Sequence, residues 1–220
     1  MITVHHLNNS RSQRVLWMLE ELETPYQIKQ YQREATMLAP DSLKKVHPLG
    51  KSPVITDGNR VIAESGAILE YLAERYDAEN RLKLSDEEER LQSRYWLHYA
   101  EGSLMPLLVM KLIFSRMGQA PVPWLLRPIG GAFGKGVQKA YLDKQLATHR
   151  DFIEQHLAAN EWFAGKQFSI ADVQMSFPLQ ALSARGGAGR SPAIQAWLEK
   201  VQNRAAWQRA LQKGGAVKLD

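Results

Sequence analysis

The sequence predicts two domains, a mixed α/β domain over residues 1–80 and an all-helical domain over residues 86–220. β-Branched and alternating apolar segments occur before residue 80, whereas apolar residues after residue 86 recur at helical spacing. A short charged segment, residues 77–85, separates the two patterns. A chain of 220 residues has room for one or two domains with a sizeable buried core.

The N-terminal domain has the predicted order β-α-β-α-β-β-α. Apolar side chains such as Val15 and Leu19 fall on one face of the first helix, and Asp57-Gly58-Asn59 is typical of a β-hairpin turn. The polar segment between the second and third strands holds at most a short helix. The predicted strands cover residues 2–7, Tyr26–Tyr31, 53–56 and Arg60–Ala63, and the predicted helices cover residues 11–23 and a segment that begins near Ser65.

Helical periodicity continues through the second domain, with breaks at proline and glycine. Residues 86–117 open with four acidic residues, which suit a helix N-terminus, and we expect Pro106 to kink this helix. Residues 118–136 are rich in Pro and Gly, which predicts a loop, and residues 120–136 could form a lid. Further helices are predicted from about Val137, from the capping box Ser169-Ile170-Ala171-Asp172 and from Ser191-Pro192.

Cysteine is absent from the chain. Its absence excludes disulfides, thiolate nucleophiles, zinc knuckles and iron–sulfur clusters, and we expect no metal cofactor. No apolar run reaches the roughly 18 residues of a membrane span, and the N-terminus lacks the basic flank and apolar core of a secretory signal. We therefore expect a cytoplasmic protein that does not bind a membrane.

The net charge of +5 is unevenly distributed. Residues 1–80 carry nine Lys or Arg and eleven Asp or Glu, whereas residues 81–220 carry nineteen and twelve. No carboxylate lies between Glu101 and Asp143. Such a basic surface attracts anions, but on charge alone a solvated face of mixed helices is the favoured interpretation. Because no arginine-rich arm or nucleic-acid motif is present, we expect no nucleic-acid partner, and the charge indicates only the sign of a ligand.

The turn before the first helix is the first candidate site. Asn9, Ser10 and Ser12 lie there, and the N–H groups of a helix start favour an anion such as a thiolate. A hydroxyl that donates to the sulfur would lower the thiol pKa further, and Ser10 is the natural donor. The alternative is structural, because Ser10 and Gln13 have the spacing of a capping box and Ser12 could cap instead.

Two more segments in the same domain could hold a peptide-like ligand. Pro53 marks the start of the third strand, and a cis bond before it would leave the Ser52 backbone free to pair with an extended peptide, although trans is the commoner state. Glu64 and Ser65 precede the second helix. There a hydroxyl and N–H groups would hold a carboxylate and Glu64 would accept from an amine, unless Ser65 is an ordinary helix cap.

Together these segments resemble the soluble glutathione S-transferases, particularly bacterial ones. The residues that carry the resemblance are Asn9-Ser10-Arg11-Ser12, His47-Pro48-Leu49-Gly50-Lys51-Ser52-Pro53-Val54, Glu64-Ser65-Gly66-Ala67-Ile68 and Ser169-Ile170-Ala171-Asp172. The match extends over essentially the whole chain. It implies a thioredoxin-like N-terminal domain that binds glutathione, followed by an all-helical domain with a hydrophobic pocket for the second substrate. It also implies a cytoplasmic homodimer that acts in detoxification.

The resemblance assigns roles to residues of this chain. Because the chain has no Cys, and no Tyr before Tyr26, the hydroxyl-dependent branch is implied, with Ser10 as the thiolate donor and Asn9 and Ser12 as alternates. For glutathione binding, the resemblance implies that Pro53 is a cis-proline and that the Ser52 backbone pairs with the cysteinyl unit. Glu64 and Ser65 would hold the γ-glutamyl end, and Lys51 would lie near the glycyl carboxylate. Relatives often have Val where this chain has Ser52, a change that a backbone role tolerates.

The resemblance implies transfer of the glutathione thiolate to hydrophobic electrophiles, with reduction of organic hydroperoxides as a further activity. Candidates for the electrophile pocket are Met110, Phe114, Met117 and Trp124, although for any single one a core or dimer-contact role is favoured. The alternative function is a catalytically silent interaction protein on the same scaffold, like the stringent-starvation proteins that bind RNA polymerase. Retention of Pro53, Glu64 and Ser65 favours the enzyme.

Overall fold

The computed structural model describes residues 1–34, 36, 38–186 and 191–219. Within these residues one sheet of four strands has the order β2-β1-β3-β4. The strands are β1 (Ile2–Leu7), β2 (Tyr26–Tyr31), β3 (Val54–Asp57) and β4 (Arg60–Ala63). β1 pairs in parallel with β2 and antiparallel with β3, and β3 and β4 form the expected hairpin. With the helices that pack on this sheet, the arrangement is the thioredoxin-like fold expected from the sequence.

Helices follow the sheet to the end of the described chain. They are α1 (Ser12–Glu21), α2 (Ser65–Tyr76), α3 (Glu87–Tyr99), α4 (Met105–Ser115), α5 (Arg127–Val137), α6 (Asp143–Ala159), α7 (Ile170–Gly186), α8 (Pro192–Gln202) and α9 (Ala205–Gly214). A 3₁₀ turn at Asp41–Lys45 is the short helix allowed for between β2 and β3. Among the described residues no helix combines the length and the apolar character needed to cross a bilayer.

Helix α1 is buried on all sides rather than on one face. It packs against β1 and α2 of its own domain and against α7 and α9 of the helical domain. The residues from Ser12 to Glu20 are therefore buried throughout, including polar Gln13 and Arg14. The chain segment that enters α1, with its candidate serines, lies at the junction of the two domains.

The long helix predicted over residues 86–117 is interrupted near Pro106. A π-helical segment, Ala100–Leu104, joins α3 to α4, and Pro106 lies in the first turn of α4. Proline has no N–H to donate to the carbonyl four residues earlier, so the preceding turn must find another hydrogen-bonding pattern. The wider turn carries Glu101, which has a role at the candidate site below.

The prediction of a loop over residues 118–136 is wrong for most of that segment. Helix α5 begins at Arg127, ten residues before the helix start predicted near Val137, so the predicted lid is largely helical. Its glycines allow close packing on α4: a Cβ at Gly130 would lie 2.3 Å from the Met117 carbonyl oxygen, and one at Gly134 would lie 2.3 Å from that of Phe114. Glycine here serves helix contact rather than a turn.

Two helix starts in the second domain are held by carboxylates. Asp172 accepts hydrogen bonds from the backbone N–H groups of Ser169 (2.9 Å) and Phe163 (3.0 Å), as the capping box predicts for Ser169. Ser191 precedes α8 as expected, but its side chain makes no capping bond. Instead Glu154 on α6 accepts from the N–H groups of Ala193 and Ile194.

Candidate active site

A cleft of about 220 Å³ lies where the sheet domain meets the π-helical turn. It is lined by Arg11, His47, Leu49, Lys51, Ser52, Pro53, Ala63, Glu64, Ser65 and Glu101. All five residues that the sequence analysis assigned to glutathione binding are in this set. Four segments far apart in sequence, at Arg11, residues 47–53, residues 63–65 and Glu101, therefore contribute to one cavity.

Both segments of the peptide-binding prediction face this cleft with distinct backbone features. The Ser52–Pro53 peptide bond is cis. Glu64 has φ +69° and ψ 122°, a conformation that costs a non-glycine residue about 1–3 kcal/mol. Such conformations cluster at ligand sites, where the surrounding structure holds them. Ser65 does not cap α2, since Glu64 occupies that position without a side-chain bond.

Ser10 is 4% exposed and is not among the residues that line the cleft, although it is next to Arg11 and its hydroxyl contacts Ser52, and both of these residues line the cleft. Its hydroxyl is 3.3 Å from the Ser52 hydroxyl, which itself donates to the His5 carbonyl oxygen. The Ser10 oxygen also accepts from the backbone N–H of Ser12 (3.2 Å). The capping box suggested for Ser10 and Gln13 is not formed, because the Gln13 amide is buried without a hydrogen-bond partner.

Ser12 is fully buried and its hydroxyl points away from the cleft. Its oxygen is 2.8 Å from His6 Nδ1 and 2.7 Å from the Ser10 oxygen. His6 Nε2 lies 2.9 Å from the Gly214 carbonyl oxygen, which can only accept. In neutral His6 the proton is therefore on Nε2 and Nδ1 accepts from Ser12. Burial holds the pKa of His6 below its usual value despite the bond to Gly214, which favours this neutral form.

Asn9, the other alternate, faces the C-terminal segment. Its side-chain oxygen accepts from the backbone N–H of Lys218 (2.8 Å), and its carbonyl oxygen accepts from Arg33 Nη2 (3.2 Å). Asn9 has a φ of +50°, a conformation that asparagine tolerates better than most residues. Of the three candidates in this turn, Ser10 alone has its hydroxyl beside a residue that lines the cleft.

An ion pair between buried Arg14 and half-buried Glu101, which itself lines the cleft, supports the cleft. Arg14 donates to Glu101, to the Ser65 hydroxyl (3.4 Å) and to the Gln174 carbonyl oxygen (3.0 Å), and Arg11 also bonds to Glu101. Burial lowers the pKa of Arg14 to about 10, an effect that Glu101 partly offsets, so Arg14 is cationic at neutral pH. Burial alone would raise the pKa of Glu101, but Arg14 and Arg11 bring it below its usual value.

The four residues proposed for the second substrate are not gathered in one cavity. Phe114 and Trp124 line a separate depression between α4 and α5, whereas Met110 packs on the main core. At a rise of about 1.5 Å per residue, Phe114 lies roughly 20 Å along the helices from Glu101. Met117 contacts Gly130 of α5, and Trp124 is 75% exposed. A role for these residues in binding an electrophile stays a prediction.

Sequence reasoning missed four residues at or behind the cleft, namely His6, Arg11, Arg14 and Glu101. The position of Arg14 among apolar residues of α1 was a usable signal that it is buried and bonded to a carboxylate, because a buried guanidinium needs an acidic partner. Nothing local in the sequence identified that partner as Glu101, which is 87 positions away. In the part of the chain that the structure describes, no cluster of three or more His, Cys, Asp or Glu is placed to bind a metal ion.

The fold and the cleft define a two-domain protein that can hold a small charged peptide beside a serine hydroxyl at a helix N-terminus. Two family models match: that of the glutathione S-transferase N-terminal domain over residues 1–74, and that of its C-terminal domain over residues 105–205. The chain belongs to the glutathione S-transferase family and is an enzyme of that family. Glutathione is the co-substrate of this family.

Individual relatives agree. The chain is 40% identical to glutathione S-transferase 3 of Schizosaccharomyces pombe over 97% of its own length and 88% of that protein. It is 33% identical to glutathione S-transferase 1 of Saccharomyces cerevisiae, over 99% and 97% respectively. The crystal structure of a glutathione S-transferase from Actinobacillus pleuropneumoniae is similar with a TM-score of 0.81 and 32% identity, covering 100% of this chain and 95% of that one.

Proposed function

We propose that this enzyme joins the thiolate of glutathione to hydrophobic electrophiles. Residues 1–80 hold glutathione in this proposal, and residues 86–220 supply the surface for the electrophile. The observation that carries it is the cleft itself, which gathers Lys51, Ser52, Pro53, Glu64 and Ser65 beside the Ser10 hydroxyl. Positioning the thiolate near the acceptor and lowering the thiol pKa are then the two sources of rate enhancement.

Ser10 is the proposed donor to the thiolate, which places the enzyme in the serine-type branch of the family. Its hydroxyl can turn from the Ser12 oxygen to a sulfur in the cleft, whereas the Ser12 hydroxyl is committed to His6. The N-terminus of α1 adds its positive dipole end at the same point. A hydrogen bond to a charged acceptor contributes about 1.5–3 kcal/mol, enough to favour the thiolate clearly.

The remaining polar residues of the cleft fit the three charged ends of glutathione. Glu64 would accept from the γ-glutamyl amine, and Ser65, held by Arg14, would donate to the carboxylate beside it. Lys51 would approach the glycyl carboxylate as a flexible point charge. The Ser52 backbone, next to Pro53, would pair with the cysteinyl unit.

Retention on immobilised glutathione tests this assignment. We expect Glu64→Ala to weaken binding about tenfold or more, because a charge-assisted hydrogen bond is lost. Glu70→Ala is the matched control, since Glu70 is an exposed carboxylate of the adjoining helix α2. Equal retention of both variants would contradict the role of Glu64, and a wild-type protein that never binds the resin would contradict the function.

A panel of electrophiles and organic hydroperoxides, titrated with glutathione, tests the reaction. The same thiolate can attack a carbon electrophile or the oxygen of a hydroperoxide, so both activities are expected to need Ser10. A protein that binds glutathione but turns over no member of the panel would instead be the catalytically silent interaction protein.

We also propose a cytoplasmic homodimer that acts in detoxification. The support for a dimer is an apolar face on α4 and α5, where Ile113, Ile129 and Phe133 are exposed. An exposed apolar face of this kind is typical of a protein interface. Sedimentation equilibrium is expected to give a molecular mass twice that of the chain, and the mass of a monomer at all protein concentrations would contradict the dimer.

A further inference from the structure

The hydroxyl of Ser10 is the first member of a continuous hydrogen-bonded chain into the protein. Ser10 Oγ lies 2.7 Å from Ser12 Oγ, which lies 2.8 Å from His6 Nδ1. His6 Nε2 donates to the Gly214 carbonyl oxygen at the end of α9. Each step has the length of a good hydrogen bond, and each side chain in the chain is at least 96% buried, with His6 itself 2% exposed.

The directions of these bonds follow from the chemistry of the end groups. The Gly214 carbonyl fixes the proton of neutral His6 on Nε2, so Nδ1 carries a lone pair that points at Ser12. The Ser12 hydroxyl donates to that lone pair, because its other acceptor, the Leu7 carbonyl oxygen, is 3.4 Å away. The Ser12 oxygen can then accept from Ser10. The single Ser10 proton can go to the Ser52 oxygen (3.3 Å) or to the closer Ser12 oxygen (2.7 Å). When it goes to Ser12, all the donors of the chain point inward, toward His6.

We propose that His6 is the proton acceptor for the glutathione thiol, reached through the hydroxyl groups of Ser10 and Ser12. The proposal rests on the proposed function, in which the thiol lies against Ser10. The S–H bond breaks as Ser10 takes that proton, Ser10 gives its own proton to Ser12, and Ser12 gives its own to Nδ1. The products are a thiolate and an imidazolium, and each serine keeps one proton. The reversed chain then donates outward, from His6 through both serines to the sulfur.

The surroundings of His6 suit this transfer. Burial keeps its pKa below the usual value, so the free enzyme holds a neutral imidazole that can accept a proton. Both partners of the imidazole are uncharged, and Gln30 is its register neighbour on β2. Lys213, which precedes Gly214, gives its ammonium group to Glu20 on α1. The cost of charging His6 is offset only when a thiolate forms at the other end of the chain.

The bonded carbonyl adds a constraint that a lone histidine would lack. Because Gly214 holds Nε2–H, the imidazole cannot turn its proton toward Ser12 without losing that bond. The close packing at this point also limits ring movement, since a Cβ at Gly214 would lie 3.3 Å from His6 Cε1 and 2.4 Å from Leu16 Cδ1. His6 is thus a positioning and proton-accepting residue that does not touch the substrate.

Proton release on binding tests the relay directly. Calorimetry in two buffers of different ionisation enthalpy counts protons released when glutathione binds, and S-methylglutathione, whose thiol is blocked, corrects for all other groups. Ultraviolet absorbance counts the thiolate formed. In the wild-type enzyme at neutral pH we expect thiolate without a matching released proton, because the proton stays on His6. In Ser12→Ala and His6→Phe we expect each thiolate that forms to be matched by a proton released to solvent.

The variants are chosen so that each outcome either supports or contradicts the proton relay. Ser12→Ala breaks the chain without touching the Gly214 bond, so it carries the test if His6→Phe fails to fold. His5→Gln is the matched control, because His5 lies next to His6 but bonds to Tyr31 and Thr56 instead, and it should retain the proton as the wild type does.

A wild-type enzyme that releases a proton with each thiolate, or a Ser12→Ala variant that retains it, would overturn the relay and leave the proposed function intact. Loss of proton retention in His5→Gln would overturn the specific role of His6. Absence of any thiolate in the wild-type complex would instead count against the proposed function.

Discussion

The cleft of the candidate active site and the α4–α5 pair differ in what holds them together. The cleft is organised by hydrogen bonds and charges: Ser10 bonds to Ser12 and Ser52, and Arg14 bonds to Ser65 and Glu101. The α4–α5 contact is organised by the absence of side chains, with Gly134 against the backbone of Phe114 on α4 and Gly130 against that of Met117, just beyond the end of α4. The cleft therefore depends on specific polar partners, whereas the α4–α5 contact depends on glycines that leave room for the two backbones to approach.

This difference explains where sequence reasoning succeeded. The short motifs around Pro53 and Glu64 resemble a known family, so the sequence could predict that their residues lie together, as they do in the cleft. Glycine is ambiguous, because the same residue serves a turn or a close helix contact. The α5 segment, where glycines allow close helix packing, was consequently predicted as a loop.

The largest expected effect on stability comes from removing the anion of the cleft. Glu101→Gln leaves buried Arg14 without its charge partner, and we expect a loss of about 3 kcal/mol in the free energy of unfolding. Urea denaturation measures it. The control Glu74→Gln changes an exposed carboxylate on α2 and should stay within about 0.5 kcal/mol. A loss no larger than the control would show that the pair does not hold the cleft.

The same pair gives a pH dependence of known sign. The pKa of Glu101 is lower in the folded protein than its ordinary value of 4.5, so its contribution to stability is complete above that value. The contribution is lost as the pH falls through the lower, folded-state pKa. The stability difference between wild type and Glu101→Gln should therefore shrink below about pH 4.5. A difference that grows on acidification would contradict this assignment.

Glycine substitutions in α5 should have the next largest effect. Gly130→Ala places a Cβ 2.3 Å from the Met117 carbonyl oxygen, and we expect it to destabilise the protein by about 1–3 kcal/mol. Gly136→Ala in the same helix meets no atom within 4 Å and should stabilise by about 0.5–1 kcal/mol. Opposite signs for two identical substitutions distinguish helix packing from a loop, where both would be tolerated alike.

The smallest expected effect tests whether the α4–α5 pair takes part in substrate binding. Trp124 is exposed, and its depression is far along the helix from Glu101. From this geometry we expect Trp124→Ala to change the KM for an electrophile by less than about twofold. A much larger rise in KM, with the KM for glutathione unchanged, would support the prediction that Trp124 belongs to the electrophile site.

A structural feature can be predicted from the sequence when the residues that determine it are close together along the chain. The order of strands and helices along the N-terminal domain, the hairpin at Gly58 and the Asp172 capping box follow from local patterns and are present in the structure. The partnership of Arg14 with Glu101, and that of His6 with Gly214, join residues 87 and 208 positions apart. Such contacts are decided by the packing of whole elements, so no local pattern indicates them.

The roles of the cleft residues were implied by resemblance, and the structure adds a physical reason to prefer one serine. Ser12 is closer to the helix start and was an acceptable alternate from sequence. Its bond to His6, and the contact of Ser10 with Ser52 of the cleft, distinguish the two serines, and both depend on where the strands lie against α1.

The pKa of the thiol of bound glutathione tests the central claim most directly. Ultraviolet titration of the complex should give a value about one to two units higher in Ser10→Ala than in the wild type, because the hydrogen bond to the charged sulfur is lost. Asn9→Ala should leave the value unchanged. An unchanged thiol pKa in a Ser10→Ala enzyme that still binds glutathione would contradict the assignment of Ser10.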